Sequence, residues 1–172
     1  MSDIALQNDM PVPLAEQRDD VGRLVALTWQ STNADQATPA DRWLVAVDGS
    51  VGSLRAVQKA ERMAATGQQG AGVDLVHVQS WLNKEAAETE LARRGWAATA
   101  QARQVLDAAG LSWRLMSLMG EEAPEIVRAA QVLGSCGIAI GSRGLTATES
   151  LLLGSVANKV LHLAKTSVLL VR

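Results

Sequence analysis

The chain has no phenylalanine and no tyrosine, and it carries one cysteine, four prolines and two histidines in 172 residues. Trp29, Trp43, Trp81, Trp96 and Trp113 are its only aromatic side chains, so the core must be mostly aliphatic. The lone cysteine, Cys136, excludes an intrachain disulfide and fits a reducing compartment. It opens the apolar run Cys136-Gly-Ile-Ala-Ile140 and is expected to be a buried, inert thiol. No basic block accompanies the net charge of −2, which argues against a general nucleic-acid binder. No apolar run approaches membrane-spanning length. The acidic, proline-bearing start lacks a signal-peptide pattern. No histidine–cysteine cluster points to structural zinc. A cytoplasmic protein that engages neither membrane nor nucleic acid is the expectation.

At this length one domain is expected. Residues 1–40 differ in composition from the rest, with Pro11, Pro13 and Pro39 and a polar stretch over Gln30–Asp41. They read as an N-terminal extension, partly flexible and dispensable for the fold. Within it, Leu14 to Trp29 fits an amphipathic helix with Val21, Leu24, Val25 and Trp29 on one side. Residues 41–172 read as the domain proper.

From Arg42 strands and helices alternate. Trp43–Val47 is a first strand ending at Asp48-Gly49-Ser50. Ser53 is placed to cap a helix to about Thr66. Val73–Val78 is a second strand and Asn83–Ala109 one long helix stopped by Gly110. Leu111–Leu118 alternates as a third strand, and a helix follows with Pro124 in its first turn. Residues 136–140 form a fourth strand, and Ser167–Val171 a fifth. This alternation predicts a single five-stranded parallel sheet with helices on both faces, a Rossmann-like arrangement. In the order 3-2-1-4-5, strand order reverses between strands one and four, where ligands bind beyond the carboxyl ends. Asp48 and Gly141 would meet there.

The most informative segment follows the fourth strand. Gly141-Ser-Arg-Gly144 is followed by nine residues and then Gly154-Ser155. Glycines just past a strand let backbone turn sharply and approach a ligand closely. Beyond them, Leu153, Val156, Ala157, Val160, Leu161 and Ala164 recur at helical spacing for one buried face. Ser155 sits where an N-cap belongs, and the free N–H groups of a helix start favour an anion such as phosphate. On residues alone, Asp48 either caps a turn or contacts a ligand, and Val78 and Ile140 are core positions. Arg143 either reaches a phosphate or stays solvated. His77 reads as structural, and His162 and Lys159 as exposed. No Gly-x-x-x-x-Gly-Lys-Ser/Thr sequence occurs, so this is not a P-loop NTPase. No Ser-Gly-Gly-x-Asp-Ser run occurs either, which argues against the ATP pyrophosphatase synthetases.

The spacing Gly-x-x-Gly, nine residues, Gly-Ser resembles the nucleotide-binding signature of the universal stress protein family. The likeness spans residues 42–172, from Leu44-Val-Ala-Val-Asp-Gly-Ser50 through His77-Val78 to Ser167-Val-Leu-Leu-Val-Arg172. It departs from the commoner Asp-Pro after Gly120, where this chain reads Glu121-Glu122-Ala123-Pro124. The resemblance implies an adenine nucleotide alpha hydrolase-like fold and ATP as ligand, with Mg2+ or Mn2+ on its phosphates. It places Asp48 by the adenosine, Val78 and Ile140 about the adenine, and Gly141, Gly144, Gly154, Ser155 and Val156 about phosphates and ribose. It implies a homodimer through strand 167–171, a further protein partner, and a stress-response regulator or sensor with at most slow ATP hydrolysis or self-phosphorylation. No residue is singled out as a catalytic base. The alternative is a dimeric stress or interaction protein that works without nucleotide.

Overall fold

The structure, a computed structural model, describes residues 10–32, 42–66, 72–145 and 153–172. Its strands are β1 (Ala15–Arg18), β2 (Leu24–Gln30), β3 (Trp43–Ala46), β4 (Gly72–Gln79), β5 (Ser112–Met119), β6 (Gly137–Gly141) and β7 (Ser167–Val171). Its helices are α1 (Val51–Ala65), α2 (Lys84–Ala98), α3 (Ala100–Ala108), α4 (Glu122–Leu133) and α5 (Ser155–Leu163). The strands form one mixed sheet in the order β1-β2-β5-β4-β3-β6-β7. β5, β4, β3, β6 and β7 are parallel, in the order expected from the sequence, and the reversal falls between β3 and β6.

The sheet is larger than the five parallel strands expected. The stretch taken for an amphipathic helix is instead a β-hairpin, in which β1 pairs antiparallel with β2 and β2 pairs antiparallel with β5. Its turn is built by Asp19, whose Oδ1 accepts from the N–H groups of Val21 (3.1 Å) and Arg23 (2.9 Å), and by Gly22 at φ 73°. That left-handed backbone favours glycine. The hairpin seats Trp29, 1% exposed, in the core against Trp96, and Trp96 against Trp113. So the N-terminal extension supplies both strand and core to the sheet.

Two hydrophobic layers flank the sheet. One holds Val45, Val57, Leu75, Leu91, Leu106 and Leu115 under α1, α2 and α3. The other holds Leu44, Val76, Ile126, Ile138 and Val160 under α4 and α5. The near-continuous burial along β3, β4 and β6 is that of strands covered by helices on both faces. The long helix expected over 83–109 breaks at Thr99, which is fully buried and donates its hydroxyl to the Gly95 carbonyl (2.7 Å). Competition of a threonine hydroxyl for helical carbonyls accounts for the interruption.

At the end of the sheet away from the β3/β6 loops, Arg42 and Asp74 form a buried ion pair (2.8 Å). Arg114 completes it by donating to both carboxylate oxygens, to Oδ1 at 2.8 Å and to Oδ2 at 2.7 Å. Arg42 also donates to Ser112 Oγ and the Val73 carbonyl, so the buried guanidinium is well supplied with acceptors. Cys136 is exposed rather than buried, because β6 begins one residue later. Its thiol meets the Arg42 carbonyl at 3.3 Å. Leu161, expected on the buried face of α5, is 42% exposed, since only Ala157 and Val160 are fully covered.

Candidate functional site

β3 and β6 lie side by side, and their chains leave the sheet in opposite directions, β3 towards α1 and β6 towards α5. A cavity of about 340 Å³ opens where they part. That volume lies at the lower end of the range for small-molecule sites. All eight residues singled out for ligand contact line it: Asp48, Val78, Ile140, Gly141, Gly144, Gly154, Ser155 and Val156.

The polar half of the cavity is built from tight backbone. Ser50 caps α1, its side chain accepting from the Ser53 N–H (3.1 Å), whereas Ser53 had been expected to cap. Gly141 must stay small for a reason of packing: a Cβ there would lie 2.6 Å from the Gly52 backbone. The two loops are thus in near contact, and the Asp48 carboxylate ties them. Its Oδ1 accepts from the Ser50 N–H (2.9 Å) and its Oδ2 from the Leu145 N–H (3.2 Å). Burial alone would push the Asp48 carboxyl up, but hydrogen bonds from Ser50, Ser53 and Leu145 together outweigh it and hold the group below its ordinary value.

The expected cap of α5 is displaced by one residue. Gly154 is the N-cap, and Ser155 is the first helical residue, with no side-chain capping bond. Gly154 is fixed by its N–H to the Ser142 carbonyl (2.7 Å) and accepts from Asn158 (2.9 Å). The N–H groups of Ser155, Val156 and Ala157 therefore have no carbonyl within the helix to donate to, at a terminus that carries partial positive charge. All three residues line the cavity.

The other half is apolar, walled by Val76, Val78, Ile126, Ile140 and Val156. His77 also lines it, with Nδ1 2.9 Å from the Val47 carbonyl. A carbonyl only accepts, so Nδ1 carries the proton. Desolvation pushes the His77 imidazole below its ordinary value, more strongly than the Val47 carbonyl and Asp48 pull it up, which favours the neutral ring. Arg143 lines the cavity from an exposed loop position. Lys159 lies outside it, paired with Glu121 (2.7 Å), and His162 is exposed.

Sequence reasoning missed Ser50, Glu122 and Ile126 as cavity residues. Ser50 was signalled by the Asp-Gly-Ser run, a turn signature able to bond its own backbone. Glu122 and Ile126 are one helical turn apart on α4, and nothing local tells which face of that helix meets the cavity. Among the described residues no group of three or more His, Cys, Asp or Glu side chains is arranged to hold a metal ion. No helix among them is long and apolar enough to cross a membrane.

Comparison with known proteins agrees with this architecture. The sequence pattern of the Universal stress protein family matches residues 39–172. The chain is 29% identical over 152 residues to the universal stress protein YxiE of Bacillus subtilis (strain 168), covering 77% of this chain and 99% of that protein. A universal stress protein solved in complex with cAMP shares 27% identity at a TM-score of 0.57, covering 78% of this chain and 98% of that one. The universal stress protein from Archaeoglobus fulgidus in complex with dAMP is 21% identical, with a TM-score of 0.61 over 78% of this chain and 100% of that one, a likeness of fold.

Proposed function

The chain belongs to the Universal stress protein family, and on that footing we propose that its β3/β6 cavity binds an adenine nucleotide, ATP with Mg2+ or Mn2+ on its phosphates. The protein then acts in the cytoplasm as a nucleotide-dependent regulator or sensor of a stress response, with at most slow hydrolysis. One observation carries this reading. A helix start with three N–H groups uncommitted among the described residues shares a single cavity with an apolar wall. Phosphate suits the first and a planar base the second. The relative in complex with cAMP, an adenine nucleotide, supports the same reading.

The donor set fits a cation that arrives on the nucleotide. Among the described residues the cavity has no cage of metal ligands, and Mg2+ that arrives on phosphates keeps several of its waters and needs no such cage. A regulator is favoured over an efficient enzyme because the one imidazole in the cavity already donates Nδ1–H to Val47 and no nucleophile is paired with it.

Calorimetry of the full chain with Mg-ATP should show saturable binding near one per chain in the micromolar range, which corresponds to about 8 kcal/mol. Neither heat nor a thermal shift at millimolar ATP, with protein freed of nucleotide, overturns the reading. Dimerisation is proposed through β7, which among the described residues pairs only with β6 and holds Val168, Leu169, Leu170 and Val171 half-buried at the sheet edge. An unpaired strand edge of apolar residues is a template for a second copy. Light scattering that gives a monomer mass at high concentration counts against the dimer. A dimer that persists with no ATP binding favours the nucleotide-independent alternative.

A further inference from the structure

The cavity has two carboxylates in unequal circumstances. Both oxygens of Asp48 already accept backbone N–H groups from the loops they join. Glu122, the first residue of α4, lines the same cavity and takes part in no hydrogen bond or ion pair among the described residues. Its neighbours have partners: Glu121 is paired with Lys159 (2.7 Å) and Glu125 with Arg128. The charge of Lys159 reaches Glu122 only through space. Of the acidic side chains that open α4, the one turned to the cavity is therefore the one left without a bonded partner. Beside it stands Ile126, one helical turn on and part of the apolar wall.

A carboxylate can only accept hydrogen bonds, and it repels anions. The N–H donors of the cavity belong to the glycine loop and the start of α5 and suit phosphate, whereas Glu122 suits a hydrogen-bond donor. On a nucleotide the donors are the ribose hydroxyls and the exocyclic amine of the base. We infer that Glu122 is a specificity-determining residue of this site, which accepts a hydrogen bond from a donor on the nucleoside and disfavours nucleotides with a further phosphate on the ribose. This inference rests on the nucleotide-binding reading above and deepens it.

The test titrates the full chain and its E122A and E122Q variants with Mg-ATP, 2′-deoxy-ATP, 3′-deoxy-ATP and ITP, which lacks the exocyclic amine. In the parent, one analogue that lacks a donor should bind about tenfold more weakly than ATP, as expected for a lost hydrogen bond to a charged partner. The identity of that analogue tells hydroxyl from amine. In E122A, ATP should fall to the affinity of that analogue, and the analogue itself should be unmoved. E122Q, which keeps shape and loses charge, should narrow the parent's preference for AMP over adenosine 3′,5′-bisphosphate. A parent that binds ATP while E122A retains its affinities and ratios overturns this inference alone. So does a uniform loss across all four nucleotides, which would mark a fold effect. A parent that binds no ATP overturns the proposed function itself.

Discussion

A Cβ added to Gly144 would lie 2.7 Å from Asp48 Oδ2, the oxygen that accepts the Leu145 N–H. The two loops that frame the cavity are held together by that carboxylate, and the glycine leaves room for it. Gly144→Ala should therefore push Asp48 off the loop and weaken ATP binding, yet change the melting curve by about 1 kcal/mol or less, because the displaced group is one short side chain. Asp48→Ala alone should also weaken ATP. The double variant should be no worse than the single ones, since removal of the carboxylate removes the clash. Additive losses in calorimetry would show that the glycine and the aspartate act separately.

Gly141→Ala should behave differently. Its Cβ would meet the backbone of Gly52 at 2.6 Å, and backbone in a helix start cannot step aside as a side chain can. A loss of about 1–3 kcal/mol in denaturant melts is expected, as for an overpacked core. Parent-like stability in that variant would mean that α1 shifts freely on the sheet.

The Arg42–Asp74 pair should be costly to break from one side. Both residues are 1% exposed, so Asp74→Asn leaves a buried guanidinium without its counter-charge. Loss of one partner of a buried pair costs about 3–5 kcal/mol. Arg114→Ala should cost about 1 kcal/mol, since Arg114 is partly solvated and Asp74 keeps Arg42. Equal losses from the two variants in chemical denaturation would contradict this ranking.

Trp29→Ala should destabilise the whole chain by about 3–5 kcal/mol, the usual cost of truncating a buried aromatic. For a protein of this size each kcal/mol moves the Tm by roughly 2–4 °C. A melting curve within a degree of the parent's would show that the hairpin is an appendage. A chain that begins at Ala40 tests the same point, because it leaves the β5 edge and Trp96 without their β2 cover.

Acid should destabilise the fold partly through His77. Its folded value lies below the ordinary 6.5, so the folded chain binds this proton less readily than the unfolded chain. The stability carried by the neutral ring is intact above about that ordinary value and is lost as pH falls through the lower, folded one. Melts of the parent between pH 7 and pH 5 should fall more steeply than those of His77→Asn, whose amide can still donate to the Val47 carbonyl. Parallel profiles would remove His77 from the account.

Particular elements show why part of the fold was legible and part was not. The order β5-β4-β3-β6-β7 could be read because each strand is a short apolar run bounded by glycine or a helix pattern, and parallel crossovers leave few alternatives. β2 could not be read as a strand from periodicity. Val21, Leu24, Val25 and Trp29 satisfy a helical period, and its partner β5 lies far along the chain. The Asp-Asp-Val-Gly turn before Leu24 was the local signal that favoured a hairpin. Gly154 and Ser155 exchanged places as cap and first residue, a one-residue matter at a helix end that local sequence seldom settles.

The sequence by itself determined which residues surround the cavity's glycine loop, because turn, strand and helix-start requirements are local and leave their mark on neighbouring residues. Tertiary structure alone decided that Asp48 spends both oxygens on joining loops, that Trp29 closes the far layer of the core, and that Glu122 is the carboxylate turned to the cavity without a bonded partner among the described residues. Those facts depend on which helix face meets which strand and on contacts between residues distant in the chain. They arise only when burial of apolar surface brings the elements together.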